Sequence, residues 1–486
     1  MDADTGAALT RFLDRGRSPA RGPIDWNAAP ARYKRYPDAA RIELPWGDEA
    51  AATSLLGALL LDMCGITRLM WTPVLDHDGV PTPGAFKVQH GRSAPSGGAL
   101  YPLAAYVAVP SPEPGLYHYD PAHHCLERLR PGDHRAALAA LVSDAPSPLP
   151  AAVLVLTARF WRNGFKYGEF GYRLQTQEIG VLAAQAAAVA ARLGSTVDTR
   201  LHFGDDQVHE LLDLDPRAEA ALAMMFVGQD TAAANAPTYR ELITVAPPVA
   251  AERTPAITDK LPAMAALHTD PGVLPEDSVP YPMEAGRELP LPRLRVAVDA
   301  GIVGRSSPAD GFRPRPIEST RLAGLIGAAA DGWAGFGRGA ALYCVVARVD
   351  GIATGMYRYH PARHALVEIT SGIADSVRCH PIVGEAAAVL LPVGDLPAGT
   401  GARWYRTVQA DAGVVLQRGA LAAAALGLAA RIHSGETPDF TADLAGTRTA
   451  LAALLIGVPR AVSTLEHRIH PDGCSTADTA GQRESP

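Results

Sequence analysis

The chain holds 486 residues, 48% of them hydrophobic and 20% charged, with a formal net charge of −7. It is long enough for two domains with substantial cores, and its acidic balance argues against a broad nucleic-acid footprint. Nowhere do about 20 consecutive apolar residues offer a membrane span, and MDADTGAALTRFLDRGR lacks the regions of a secretory signal, so a cytoplasmic protein is expected.

After an N-terminal extension (residues 1–41), the first half occupies residues 42–228. LGALLLDM (56–63) reads as a helix and LAAYVAV (103–109) as a strand. Between them, RSAPSGGALYP (92–102) joins a cation, a hydroxyl and a permissive Gly-rich backbone. GLYHYDP (115–121) predicts a hairpin, because Pro121 fixes φ and cannot continue a ladder. AAVLVLTARF (151–160) is a further strand, and residues 172–194 form a long Ala-rich helix, slim enough for close helix–helix contact. ALAMMFVG (221–228) closes this half as an apolar strand. Residues 229–294 are rich in Pro and Ala with little sustained period, which suits either an ordered strap or a mobile linker. The second half follows at 295–470, and the polar tail 471–486 reads as disordered.

The two halves are copies. Gly115, Tyr117, Tyr119, Pro121, Ala122, His124 and Leu126 recur at Gly355, Tyr357, Tyr359, Pro361, Ala362, His364 and Leu366, all at one offset (355 − 115 = 240). The long helix recurs from Tyr405 to Gly427 (405 − 172 = 233), with Tyr-Arg, an acid, Gly and a closing Leu-Gly in matching places. LAALLIGV (451–458) repeats the final strand. Strands mixed with long helices imply an α+β class, and two copies with slim central helices should pack as a homodimer would.

Five cysteines (Cys64, Cys125, Cys344, Cys379, Cys474) lie far apart with no C-x-x-C pair, which suits reduced thiols. His123, His124 and Cys125 are adjacent, but strand neighbours point to opposite faces and Cys125 becomes Ala365 in the second copy. A local fold position is favoured there, and no metal is expected.

YKRYPDAARIELP (33–45), RSAPSGGALYP, GLYHYDP and KYGEFGYR (166–173) occur in that order. Together they resemble the flavin-dependent azoline dehydrogenases of ribosomal-peptide pathways, the SagB-type branch of the nitroreductase superfamily, over most of residues 33–228. The second copy is similar to a diverged nitroreductase domain. The resemblance implies two tandem nitroreductase-like domains forming an intramolecular pseudo-dimer, with FMN at the interface between them. It puts Pro95, Ser96, Gly97 and Gly98 in the loop bordering the isoalloxazine ring. It puts Arg305 and Ser307, in GRSSPADGFRPRP, at the phosphate positions, with Arg460 beyond the last strand as a basic partner. Arg92 either reaches the phosphate or braces the loop.

Lys166 and Tyr167 match the family's Lys-Tyr pair, which is implicated in removing a proton from the azoline ring. The chemistry is reasonable: tyrosine, with a pKa of about 10, is a poor base unless a cation stabilises its phenolate. A neighbouring lysine can do that, or act as the base itself once desolvated. At the helix offset the pair falls on Gly399 and Thr400, and PSGG gives way to GFGRG (335–339). Copy one, for its part, lacks the Arg-x-Ser. One composite FMN site is therefore expected, with its symmetry mate degenerate. Tyr172–Arg173 and Tyr405–Arg406 are read as packing.

The expected activity is FMN-dependent conversion of azolines to azoles in a ribosomally made peptide, with hydride passing to flavin, a proton to Lys/Tyr, and the electrons on to molecular oxygen. No G-x-G-x-x-G follows a strand, so no dedicated NAD(P)H domain is expected. The alternatives are an NAD(P)H-dependent flavoenzyme acting on a small molecule and a non-catalytic scaffold subunit. Expected partners are an azoline-bearing precursor peptide and a cyclodehydratase or leader-binding protein. The region ahead of Ala31 reads as too short for a full leader-binding domain, which leaves recognition to a partner or to residues 229–294.

Overall fold

The repeated Tyr, Pro and His close one kind of hairpin twice. In the first half, strand β5 (Gly115–Asp120) turns into β6 (Cys125–Pro131), and in the second β13 (Gly355–His360) turns into β14 (Ala365–Ser371). His124 and His364 end the turns in the left-handed region, at φ 51° and 50°. Each Nε2 meets a carbonyl, of Pro45 at 3.3 Å and of Pro292 at 3.1 Å. A carbonyl can only accept, so Nε2 carries the proton and Nδ1 accepts from a tyrosine. Those tyrosines are Tyr119 and Tyr359, both at 2.9 Å. Even the irregularity is duplicated, since the register shifts at Leu116/Tyr117 and at Met356/Tyr357. His124 and His364 are thus hairpin residues, and His123 bonds Asp120 at 2.6 Å.

This computed structural model describes residues 6–16, 18–19, 22–46, 52–76, 80–229, 243, 247–248, 250, 254–275, 281, 285–308, 311–373, 375, 384–435, 448–460 and 465–469. The expected disordered tail at 471–486, with Cys474, lies outside them, as does Cys379. The first sheet runs β1 (Arg41–Glu43), β6, β5, β4 (Leu103–Val109), β7 (Ala152–Arg159), β9 (Glu219–Val227), β8 (Val197–Arg200). The second repeats that order as β10 (Glu288–Pro290), β14, β13, β12 (Ala341–Val346), β15 (Ala388–Gly394), β18 (Ala453–Pro459), with β16 (Ala429–His433) on β18 in the place of β8. Two short strands, β11 (Phe312–Arg313) and β17 (Thr449–Ala450), extend it. Every pair among the described strands is antiparallel, as the short apolar runs and tight turns suggest.

The helices, in chain order, are α1 (Ala7–Arg15), α2 (Ala52–Cys64), α3 (Arg135–Ala139), α4 (Trp161–Tyr167), α5 (Gly171–Arg192), α6 (Asp205–Leu212), α7 (Pro262–Thr269), α8 (Gly301–Gly304), α9 (Ser319–Ala330) and α10 (Gly401–Ala425). The two longest, α5 and α10, cross at paired glycines. A Cβ on Gly180 would overlap the Ala410 carbonyl, and one on Gly413 would overlap the Gln177 carbonyl. Two glutamine pairs also tie the helices together: Gln177 donates to Gln409 and Gln417 to Gln185, both at 2.7 Å. At one end Tyr172 and Tyr405 stack 5.8 Å apart at 10°, with Phe12 of α1 set edge-on against both. The Tyr residues read as packing therefore pack on each other, and the chain is an intramolecular pseudo-dimer.

Part of the Pro/Ala-rich connector is a strap. Ile257, Leu261, Met264 and Leu267 are buried against the first half. Pro262 begins α7, where a missing N–H costs nothing, and the Glu169 carboxylate accepts from the free N–H groups of Ala263 (3.0 Å) and Met264 (2.6 Å).

One element has no counterpart in the second half. Residues 65–102 separate α2 from β4, whereas only 331–340 separate α9 from β12. The extra length forms a ribbon, β2 (Arg68–Leu75) and β3 (Pro81–Gly91), joined on the β2 side by β19 (Leu465–Arg468). Sequence reading left 65–91 unassigned because its prolines and polar residues break the period. It also put 465–468 with the second half, although that strand crosses back to the first.

Candidate active site

The loop 92–102 leaves the ribbon and is held in an unusual conformation. Gly98 (φ 63°), Ala99 (φ 54°) and Tyr101 (φ 50°) all lie in the left-handed region, where the two non-glycine residues are strained by an estimated 1–3 kcal/mol each. Such strain persists only when surroundings over-determine it. Here Ser96 Oγ accepts from Tyr101 N at 2.9 Å, Arg162 Nε donates to Leu100 O at 2.9 Å, and Arg92 N donates to Tyr101 Oη at 3.2 Å. The Arg92 guanidinium lies over the Tyr101 ring, 4.5 Å from its centroid, so Arg92 braces the loop.

Lys166 and Tyr167 end α4 directly over that loop. A Cβ on Gly98 would come within 2.9 Å of Lys166 Nζ and would collide with the Tyr167 hydroxyl. Glycine suits the position twice, for its positive φ and for the close approach of the pair. Lys166 Nζ sits 4.9 Å from the Tyr167 ring and 5.8 Å from that of Trp26, an exposed residue of the N-terminal extension. The two motifs that the sequence singled out 68 residues apart (166 − 98 = 68) meet in space.

Beneath the loop lies Glu178 of α5, a residue whose role the sequence reading missed. Its Oε1 accepts from Ser96 Oγ and from Gly97 N, each at 2.9 Å. Burial pushes its carboxyl up to about 8, although those two bonds and the Arg92 charge oppose the shift. The signal that could have found it is the acid that recurs at the helix offset (178 + 233 = 411).

Arg305 of the second half is buried against the first. Its Nε donates to Ser93 O at 2.6 Å, and its own carbonyl accepts from Arg68 Nη2 at 2.9 Å. Burial, with Arg68 beside it, pushes the Arg305 guanidinium down to about 9. Glu466 of β19 lies 3.6 Å from Arg68, while Arg68 Nε has no hydrogen-bond partner among the described residues. Arg68 escaped sequence reading because nothing local distinguishes it. Ser307 is exposed, with its Oγ 3.4 Å from Arg305 Nη1. Arg460 stands apart: it donates to Phe312 O at 2.8 Å and pairs with Glu385, and none of its bonds reaches Arg305, Ser307 or the loop. Arg68 and Arg305 thus make a basic, partly orphaned cluster against the loop that carries the glycines, which suits an anionic group.

The symmetry-related cleft is present but refitted. Residues 335–339 replace PSGG, and Arg338 Nη1 holds both oxygens of Asp411, at 2.9 and 2.7 Å. A cavity of about 330 Å³ remains, lined in part by Ile179, His202, Arg338, Thr407 and Asp411. Burial, with Arg406, Arg403 and Arg338 nearby, pushes His202 down to about 4. Gly399 and Thr400 stand where the first half has Lys-Tyr, at the start of α10.

Sheet order, the paired long helices and the interface cleft define the nitroreductase fold. A solved structure from Anabaena variabilis, provisionally classed as a nitroreductase, matches with a TM-score of 0.74 and 20% identity, covering 94% of this chain and 100% of that one. No protein-family model matches the chain. A protein of Methanocaldococcus jannaschii provisionally classed as a nitroreductase is 33% identical over 143 residues, 28% of this chain and 70% of that protein. The chain belongs to the nitroreductase family. Within it, the chain is also similar to the trifolitoxin-processing protein TfxB of Rhizobium leguminosarum (32% over 152 residues, 29% of this chain and 40% of that protein). The microcin B17-processing protein McbC of Escherichia coli is 29% identical over 157 residues, 30% of this chain and 56% of that protein. The matched part thus spans about half the length of the two peptide-processing relatives. No helix among the described residues is long and apolar enough to cross a membrane.

Proposed function

We propose that this protein is an FMN-dependent dehydrogenase that converts azolines to azoles in a ribosomally made peptide, working at one composite site between its halves. The observation that carries the reading is the approach of Lys166 and Tyr167 to the Gly98 loop, opposite an Arg305 supplied by the other half. Its likeness to two proteins that process peptide toxins supports the substrate class.

FMN, when bound, would supply the hydride acceptor. Arg305 and Arg68 would hold its phosphate end, with Ser307 as a further donor, and residues 95–98 would border the ring; Arg460 is left without a role. Lys166 and Tyr167 handle the proton. Aromatising a thiazoline or oxazoline removes two hydrogens, one as hydride and one as a proton from carbon. Tyr167 can take that proton as a phenolate stabilised by the adjacent ammonium, or Lys166 can take it once substrate excludes water. The close approach of the pair to the strained loop holds Lys166 and Tyr167 in fixed register with residues 95–98, so their orientation is set before substrate arrives. A precursor peptide carrying azolines, and the cyclodehydratase that forms them, are the implied partners.

The test is to incubate the purified, flavin-loaded protein with a cyclodehydrated peptide and follow its mass. Loss of two hydrogens per ring is expected. Intact azolines, together with NAD(P)H-driven reduction of nitroaromatic or quinone substrates, would move the assignment to a small-molecule reductase. A colourless protein that takes up no flavin would leave a scaffold.

A further inference from the structure

We propose that Glu178, as a neutral carboxylic acid, is a ligand-binding residue of the composite site: Oε1 locks the ring loop while Oε2–H donates to an acceptor on a bound flavin. The inference rests on the reading above that residues 95–98 border a flavin.

The geometry divides the carboxyl's two oxygens between two tasks. Oε1 uses both lone pairs, on the Ser96 hydroxyl and the Gly97 amide. Oε2 makes no hydrogen bond among the described residues, although Glu178 is only 8% exposed. A buried carboxylate with one oxygen unpaired is costly, whereas a neutral acid there leaves only a donor to be satisfied, by water or by ligand. Burial favours the neutral form up to about pH 8. The charged group that acts on it is Arg92, along the loop; Lys166 and Tyr167 approach the same loop at Gly98.

The second half offers a contrast. Asp411 occupies the matching helix position, one methylene shorter, and Arg338 engages both of its oxygens. No acid proton is available there, although burial also raises that carboxyl, to about 6. The donor thus exists only in the half that carries PSGG and Lys-Tyr.

Glu178→Gln keeps an accepting oxygen for the loop and a donating N–H for the ligand, but it cannot ionise. Glu178→Ala loses both. Affinity for FMN and for riboflavin, which lacks the phosphate, is titrated by flavin fluorescence between about pH 6.5 and 9. Wild-type affinity should fall as pH rises through about 8, for both flavins, because the donor becomes an anion. Glu178→Gln should bind as wild type does at pH 7 and stay flat with pH, whereas Glu178→Ala should bind about tenfold more weakly. Glutamine behaving like alanine, or a flat wild-type profile, overturns the proposal; should the alanine variant not fold, wild type and glutamine decide it. A wild type that binds neither flavin overturns this inference and the flavin reading together, while flavin binding with the wrong variant pattern overturns this one alone.

Discussion

Loop 92–102 and loop 333–340 lie at matching points of two copies of one fold, each against an acid on a central helix. In the first, Ser96 and Gly97 hold Glu178 and the backbone is left-handed at three positions. In the second, Arg338 takes both oxygens of Asp411 and Trp333 Nε1 donates to the Asp411 carbonyl at 2.8 Å. The hairpins, by contrast, agree almost bond for bond, and the crossing glycines meet a carbonyl on each side. Duplication has therefore kept whatever a sheet and a helix pair require and released whatever only a ligand requires. Scaffold substitutions should act alike in both halves, and site substitutions should not.

The largest asymmetry should come from the Lys-Tyr pair. Replacing it (K166A/Y167F) is expected to slow azoline oxidation by about 10²–10⁴-fold while the protein remains yellow. Comparable replacement of Thr400 should leave turnover near wild type, as read by single-turnover flavin reduction.

A second asymmetry lies in the first sheet. Lys34 Nζ bonds Glu219 at 2.8 Å and Tyr106 at 2.7 Å, and Thr157 also donates to Glu219, at 2.6 Å. At the matching place in the second sheet, Tyr343 bonds Tyr281 at 3.2 Å and Arg358 lies over the Tyr281 ring, 4.1 Å away. Lys34→Met would leave Glu219 buried without its ion-pair partner, at about 3–5 kcal/mol in denaturant unfolding. Burial alone would raise the Glu219 carboxyl, but the Lys34 charge and the bonds from Lys34 and Thr157 outweigh it and bring it down to about 2. The folded value lies below the unfolded one, about 4.3, so its stabilisation is complete above pH 4 to 5. It is lost as pH falls towards 2. An acid-unfolding curve of K34M should lack that component.

The crossing glycines offer a symmetric test. Gly180→Ala and Gly413→Ala each push a methyl into a backbone carbonyl and should cost about 1–3 kcal/mol, equally in the two halves. Smaller still, Tyr119→Phe and Tyr359→Phe each remove one buried bond to a histidine and should cost about 0.5–1.5 kcal/mol apiece. A large difference within either pair would break the claim that the scaffold is shared.

Much of this was legible in the residues themselves. The constant offset exposed the duplication, and the apolar runs at 103–109, 151–160 and 221–228 became β4, β7 and β9 with shifts of one or two residues. PSGG and Lys-Tyr were visible as motifs, though only folding brings them together. What stayed hidden depends on distant partners. The ribbon is completed by a strand almost 400 residues further along (465 − 68 = 397), and Arg68 and Glu178 matter through neighbours that no local pattern announces. Arg460 illustrates the converse: a basic residue after the last strand looked like a phosphate ligand, yet Glu385 and Phe312 hold it.

The central claim is that two copies make one working site. Flavin released from protein reconstituted with excess FMN and desalted, measured against protein concentration, tests it most directly. The account predicts one FMN per chain, lost on Arg305→Ala and retained on Arg338→Ala. Two FMN per chain, with one surviving Arg305→Ala, would contradict it.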